Sequence, residues 1–366
     1  MPRPDYSILR TRGRALEQRE TLLNYNKDIE VMSCEEAKRG LQETKPLCKE
    51  KHNPGKVTLR DGAEMYCEDF GKGIPIITIH GGPGATHHVF HKEETFDKLS
   101  EQGFRILHPD MRGCGESDWK PGPEGSYTVD QAVLDLKDVL DKKEIGKAVF
   151  AAHSFGNTVL HRFAELFPDR VAGMVLIAPY CAGVPLEKKS DQKSFISEEE
   201  KAQIQSYDAS SIEGLVQRIQ AGDWRRQFFY KPTKEELFQI QHEWKHDPIF
   251  RDQIGDDLMS NSSTNGDVFD KNIPTAIFWG NYDWTLPGTP EELQRYFKGS
   301  EIYKFEQSSH NPFADEPEKF IDAMKGFISR IPDVNLQKSC HAVEKKSEAS
   351  RPESINLPLN SLLHKM

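Results

Sequence analysis

No apolar run in the chain approaches the roughly 20 residues that a membrane-crossing helix needs. The start, Met1-Pro2-Arg3-Pro4-Asp5, has none of the apolar core expected of a secretory leader. Six cysteines are present (Cys34, Cys48, Cys67, Cys114, Cys181 and Cys340), with no CxxC pair and no regular framework. In a chain of 366 residues that pattern reads as free thiols in a reducing compartment, and the expected location is cytoplasmic. HExxH is absent and no His/Cys grouping has zinc spacing, so neither a metal nor a cofactor is expected. GxxxxGK[ST] is also missing, which removes the usual phosphate cradle. Positive charge is short as well. Against 58 acidic side chains stand 48 basic ones, and the net −10 argues against a nucleic-acid or anionic-membrane partner.

What is present begins with Ala151-Ala152-His153-Ser154-Phe155-Gly156. The apolar run Lys147 to Ala152 reads as a short buried strand. Asn157 to Phe167 has helical spacing of Val159, Leu160, Phe163, Leu166 and Phe167. A turn that swings straight from strand to helix crowds its flanks, so the positions two before and two after the serine must be small. Ala152 and Gly156 meet that demand, and the pattern is a nucleophile elbow.

Strand and helix patterns alternate on both sides of this elbow. Lys56 to Arg60, the turn Asp61-Gly62 and Ala63 to Phe70 predict a hairpin. Ile74 to His80, Phe104 to Pro109 and Val171 to Pro179 predict buried strands, and Val129 to Lys142 an amphipathic helix. The pattern resumes at Ile273 to Gly280, followed by a helix (Pro290 to Phe297), a strand (Glu301 to Phe305) and a last helix from about Glu316 to Ile331. An α/β fold follows: a mostly parallel central sheet with helices on both faces. The expected organisation is an N-terminal extension (1–54), a first core part (55–181), a helical cap (182–272), a second core part (273–332) and a polar, disordered tail (333–366). A polar stretch of roughly 90 residues between two strands is too long for a plain loop.

Ser154, Asp283 and His310 then stand in the order of a hydrolytic triad, the last two after the seventh and eighth predicted strands. Ser154 would attack, His310 would take its proton, and Asp283 would hold the imidazole tautomer. The amide of Phe155 and that of Gly82, or less favourably Gly81, would form the oxyanion hole. Asp110 to Ser117 reads as scaffold, with an Asp110–Arg112 pair shaping its loop. Cys114 has no base of its own.

These motifs resemble the α/β-hydrolase superfamily and, within it, the prolyl-iminopeptidase family. The resemblance rests on His80-Gly81-Gly82-Pro83-Gly84, Asp110 to Ser117, Gly280-Asn281-Tyr282-Asp283 and His310-Asn311-Pro312. It covers roughly residues 56–331. It implies an α/β-hydrolase fold with a cap, and a serine enzyme that works through an acyl-enzyme and releases an amino-terminal residue. The elbow departs from the family's usual Gly-Gly-Ser-Trp-Gly, which leaves a carboxylic-ester or lactone hydrolase, and more distantly a non-catalytic binding protein, as alternatives. A carboxylate nucleophile, as dehalogenases and epoxide hydrolases use, is excluded by Ser154. The expected partner is a small molecule or short peptide. A free-amine substrate needs a carboxylate from the cap, and Glu243, then Glu213, are the candidates.

Overall fold

The computed structural model describes residues 50–182, 184, 186, 197–208, 214, 217, 218, 221, 243–261, 269, 271–283 and 285–332. The tail (333–366), most of the predicted extension and much of the predicted cap, including Glu213, lie outside these residues.

Eight strands form one sheet: β1 (Gly55–Thr58), β2 (Glu64–Gly71), β3 (Ile74–Ile79), β4 (Phe104–Pro109), β5 (Ala148–His153), β6 (Val171–Ile177), β7 (Thr275–Gly280) and β8 (Glu301–Phe305). Their order is β1-β2-β4-β3-β5-β6-β7-β8. β2 pairs antiparallel with both β1 and β4, and the remaining pairings are parallel. The β1–β2 hairpin closes at Asp61-Gly62, where Gly62 takes a φ of 82° and the Leu59 amide donates to the Ala63 carbonyl. A side chain at Gly62 would resist that left-handed backbone.

The two faces of the sheet can be read in β5. Ala148, Phe150 and Ala152 join one core cluster, while Val149 and Ala151 join the other. Strand period 2 sends alternate residues to opposite faces, and both faces are covered, which is why the run is apolar without alternation. On the first face lie α2 (Val129–Lys142) and α3 (Gly156–Leu166), with Val133, Leu136, Val139, Leu140, Val159 and Phe163 buried against it. On the second lie α1 (Thr95–Ser100) and α8 (Pro317–Ile328), the latter through Phe320, Ile321, Met324 and Phe327. A buried Phe such as Phe150 stabilises by roughly 1.5–3 kcal/mol relative to exposure. Helix starts are fixed locally: the Thr128 hydroxyl accepts from the Gln131 amide ahead of α2, and Thr289 with Glu292 makes a capping box ahead of α6 (Pro290–Tyr296).

Residues 182–272 enter between β6 and β7. Within that stretch α4 (Glu198–Ser206) and α5 (Phe250–Asn261) are described, and α5 packs on α2. The chain returns from the insertion along the Asp110–Ser117 loop: Cys114 bridges His246, the Gly115 amide donates to the Lys245 carbonyl, and the Asp247 amide to the Gly113 carbonyl. That loop is scaffold, as its sequence suggests, but not through the expected pair. Arg112 instead bridges Asp135 (2.7 Å) and Asp61 (2.8 Å). The Asp110 carboxylate turns inward and accepts from the amides of His87 and Glu116. Gly115 permits this, since a Cβ there would lie 2.0 Å from Asp110 Oδ2. The end of the predicted extension is packed rather than detached: His52, in the short turn Glu50–His52, is fully buried.

Candidate active site

β5 runs into α3 through Ser154, whose φ is 51°. A left-handed conformation at a non-glycine residue costs about 1–3 kcal/mol and persists only where the surroundings impose it. Here the Ser154 amide donates to the Ile177 carbonyl, and the Ser154 carbonyl accepts from the amides of Asn157 and Tyr180 and from Asn157 Nδ2. A Cβ on Gly156 would stand 2.4 Å from the Ile79 carbonyl oxygen, so only glycine lets α3 start this close to β3.

The loop after β3 lies directly on the elbow. A Cβ at Gly81 would come within 2.8 Å of Ser154 Cβ, and one at Gly84 would strike the His246 ring at 2.4 Å. His80 braces the loop from beneath. Its Nε2 accepts from the Met111 amide (2.9 Å) while Nδ1 faces the Gly81 carbonyl (3.2 Å). Burial lowers its pKa to about 4, so the ring is neutral and offers one donor and one acceptor, as these contacts require. Among the described residues, neither the Phe155 nor the Gly82 amide donates to a protein acceptor. Phe155 immediately precedes α3, so its amide sits at the positive end of the helix dipole.

Asp283 follows β7 and His310 follows β8 at the same sheet edge. Asp283 Oδ2 lies 2.6 Å from His310 Nδ1. Its other oxygen accepts from the amide (2.9 Å) and hydroxyl (2.6 Å) of Thr285, and the same hydroxyl is 3.0 Å from His310 Nδ1. Thr285 thus locks the acid's rotamer, an Asx-type turn legible as Asp-x-Thr and missed in the sequence reading. Gly280 allows β7 to meet the base loop, because a Cβ there would sit 1.9 Å from the Ser309 carbonyl oxygen. Sequence reasoning also missed His153, which is buried with Nε2 2.9 Å from the His310 carbonyl. Burial first, then the charge His310 would carry, drives the His153 pKa well below its ordinary value, so the neutral ring donates to that carbonyl.

Ser154 and His310 share one cleft with Gly82, Ala85, Val89, His153, Glu243, Trp244 and Asn311. No hydrogen bond joins Ser154 Oγ to His310; such contacts often tighten only when substrate binds. Phe155 and Gly81 stand behind the lining. Glu243 is brought to the cleft wall with 2% of its surface exposed, and its Oε1 lies 2.8 Å from Lys92 Nζ, itself buried. Cys114 is fully buried, and burial holds its thiol well above the usual range, which removes it as a nucleophile.

A mostly parallel sheet carrying a serine elbow after β5, an acid after β7 and a histidine after β8 defines a hydrolase scaffold. The family described as alpha/beta hydrolase fold matches residues 74–317. The chain belongs to that family and is a hydrolase. It is 25% identical over 282 residues to a proline iminopeptidase of Saccharolobus solfataricus, covering 72% of this chain and 87% of the relative. A 2-hydroxy-6-oxo-2,4-heptadienoate hydrolase of Pseudomonas putida is 25% identical over 75% of this chain and 96% of its own. Among solved structures, an esterase of Exiguobacterium antarcticum superposes with a TM-score of 0.53 at 23% identity, over 75% of this chain and 98% of its own. Among the described residues no helix is long and apolar enough to cross a membrane.

Proposed function

We propose that the protein is an aminopeptidase or amidase of prolyl-iminopeptidase type that works through an acyl-enzyme on Ser154. The observation that carries the reading is a single cleft lined by Ser154, His310 and the buried carboxylate of Glu243. Ser154 Oγ attacks the scissile carbonyl and passes its proton to His310 Nε2. Asp283, already on Nδ1, keeps that nitrogen protonated and balances the imidazolium that forms. The amides of Phe155 and Gly82 receive the oxyanion, each worth about 3 kcal/mol of barrier. His310 then returns the proton to the leaving amine, and water repeats the sequence to release the acid. The substrate is a small molecule or short peptide whose free ammonium meets Glu243, while Lys92 holds that carboxylate in place.

The same ion pair favours a second reading. Lys92 already balances the Glu243 charge, which suits an uncharged ester or lactone as well as an amine. A panel of aminoacyl and acyl chromogenic substrates, run on wild type and Ser154→Ala, separates the two. Free-amine substrates should outperform N-acylated ones; if simple esters are hydrolysed best, the esterase reading replaces the aminopeptidase.

A further inference from the structure

Outside the lining of the cleft, a second group of imidazoles closes around one carboxylate. Glu68 of β2 is fully buried. Its Oε2 lies 3.2 Å from His52 Nδ1 and 3.1 Å from His91 Nε2, and its Oε1 lies 3.6 Å from His87 Nε2. These three ring nitrogens and Oε2 are all sealed from solvent, yet none makes a hydrogen bond of acceptable geometry. Close approach without hydrogen-bond alignment is unusual for buried polar atoms, which otherwise pair. It is ordinary for atoms that aim at a common point. Ligands at 2.0–2.1 Å around a tetrahedral zinc ion stand about 3.3 Å apart, close to the separations of Oε2 from His52 Nδ1 and His91 Nε2.

The outward nitrogens complete the pattern. His87 Nδ1 is 2.8 Å from Asp110 Oδ1, and His52 Nε2 is 2.9 Å from Asp97 Oδ1. A carboxylate behind an imidazole fixes its tautomer and turns the other nitrogen's lone pair toward a metal. The donor atoms of His52, Glu68 and His91 lie within 4.8 Å of one another, and so do those of His87, His88 and His91, so His91 joins the two sets. We propose that His52, Glu68 and His91, with His87 beside the other Glu68 oxygen as a further donor, bind one divalent ion of the zinc class. Imidazoles with a single carboxylate suit such an ion. The side chains are sealed, so no position is left open to substrate, and the ion is structural. It ties the turn at Glu50–His52 to β2 and to the segment His87–Glu94, whose Val89 lines the cleft and whose Lys92 holds Glu243. The expectation of no metal came from spacing along the chain, and it fails to anticipate a set assembled from three separate segments.

The test uses the full-length protein, stripped with dipicolinate, checked for native circular dichroism, and titrated with Zn²⁺ and with Co²⁺. The expected result is uptake of about one equivalent, a raised melting temperature, and a Co²⁺ visible band of tetrahedral intensity. Zinc-edge X-ray absorption of the loaded protein should read a shell of imidazoles with an oxygen ligand. His91→Asn and Glu68→Gln should each lower affinity by about 100-fold or more, whereas His161→Asn, a buried histidine elsewhere, should not. Absence of uptake by folded, stripped wild type overturns the proposal. So does a Co²⁺ spectrum in His91→Asn identical to that of wild type. Should either ligand variant fail to fold, the absorption shell of the wild type decides: sulfur ligands or a lone imidazole would overturn it.

Discussion

Two of the described histidine–carboxylate contacts, Asp283 with His310 and the cluster at Glu68, differ in what the imidazole faces next. At Asp283–His310 the acid takes one ring nitrogen, and the other side of the ring lines a cleft shared with Ser154. Around Glu68 the same residue types are sealed, and the ring nitrogens converge on the carboxylate. Access separates the two roles. A free nitrogen beside an open cleft can exchange a proton with substrate, whereas several aimed at one buried point can only share a cation. Asp110 connects the regions, since its carboxylate orients His87 while its loop binds the backbone of Lys245 and Asp247, close to Glu243 in the chain.

The largest effect should come from breaking the open side. Ser154→Ala should lower turnover on the order of 10⁶-fold with the melting temperature nearly unchanged. Activity above a tenth of wild type in steady-state assays would remove Ser154 as nucleophile. Asp283→Asn should cost about 10⁴-fold, because an amide favours the wrong tautomer of His310. Kinetics at neutral pH check this, and an unaltered rate would reject Asp283 as the orienting acid. Glu243→Gln should raise KM for free-amine substrates about tenfold and leave simple esters unaffected. Since the change also strands buried Lys92, the double variant with Lys92→Met serves as control, and equal losses on both substrate classes would make the pair purely structural.

Stripping metal should sharpen the comparison from the sealed side: the melting temperature falls while kcat changes by no more than about twofold. A chelator that abolishes activity in protein still folded would place the ion in the chemistry instead. The smallest effect concerns a carboxylate outside both regions. Burial pushes Asp138 up, but hydrogen bonds from Arg60 outweigh it and hold its pKa below the usual value. A depressed folded pKa means the unfolded chain binds more protons. The stabilisation is therefore present above the ordinary carboxylate range and lost as pH falls through it. Asp138→Asn should flatten the acid side of a melting-temperature profile; a slope unchanged by the substitution would rule the pair out as a contributor.

The elbow, Asp283 and His310 were legible because their constraints are local or ordered along the chain. Gly156 and Gly280 have to be glycine where backbones cross, and strand count alone puts the acid and base at one edge. β4 and α2 run from Phe104 to Pro109 and from Val129 to Lys142, as the apolar pattern predicts, since a strand buried on both faces and an amphipathic helix both announce themselves in side-chain periodicity. The partner of Arg112 was not legible. Charge attracts at any spacing, and only packing decided that Asp135 and Asp61, rather than Asp110, would be in reach. Thr285 and His153 were passed over because each acts through another residue.

By itself the sequence determined the sheet, the order of Ser154, Asp283 and His310 along it, and the glycines that let the loops meet, because these follow from periodicity and from steric limits on neighbouring residues. Only the tertiary structure decided that Lys92 would pair with Glu243, and that His52, His87 and His91 would gather around Glu68. Those outcomes depend on distances between segments far apart in the chain, which no local pattern encodes. Burial then sets their energy, by removing the water that would otherwise satisfy each group separately.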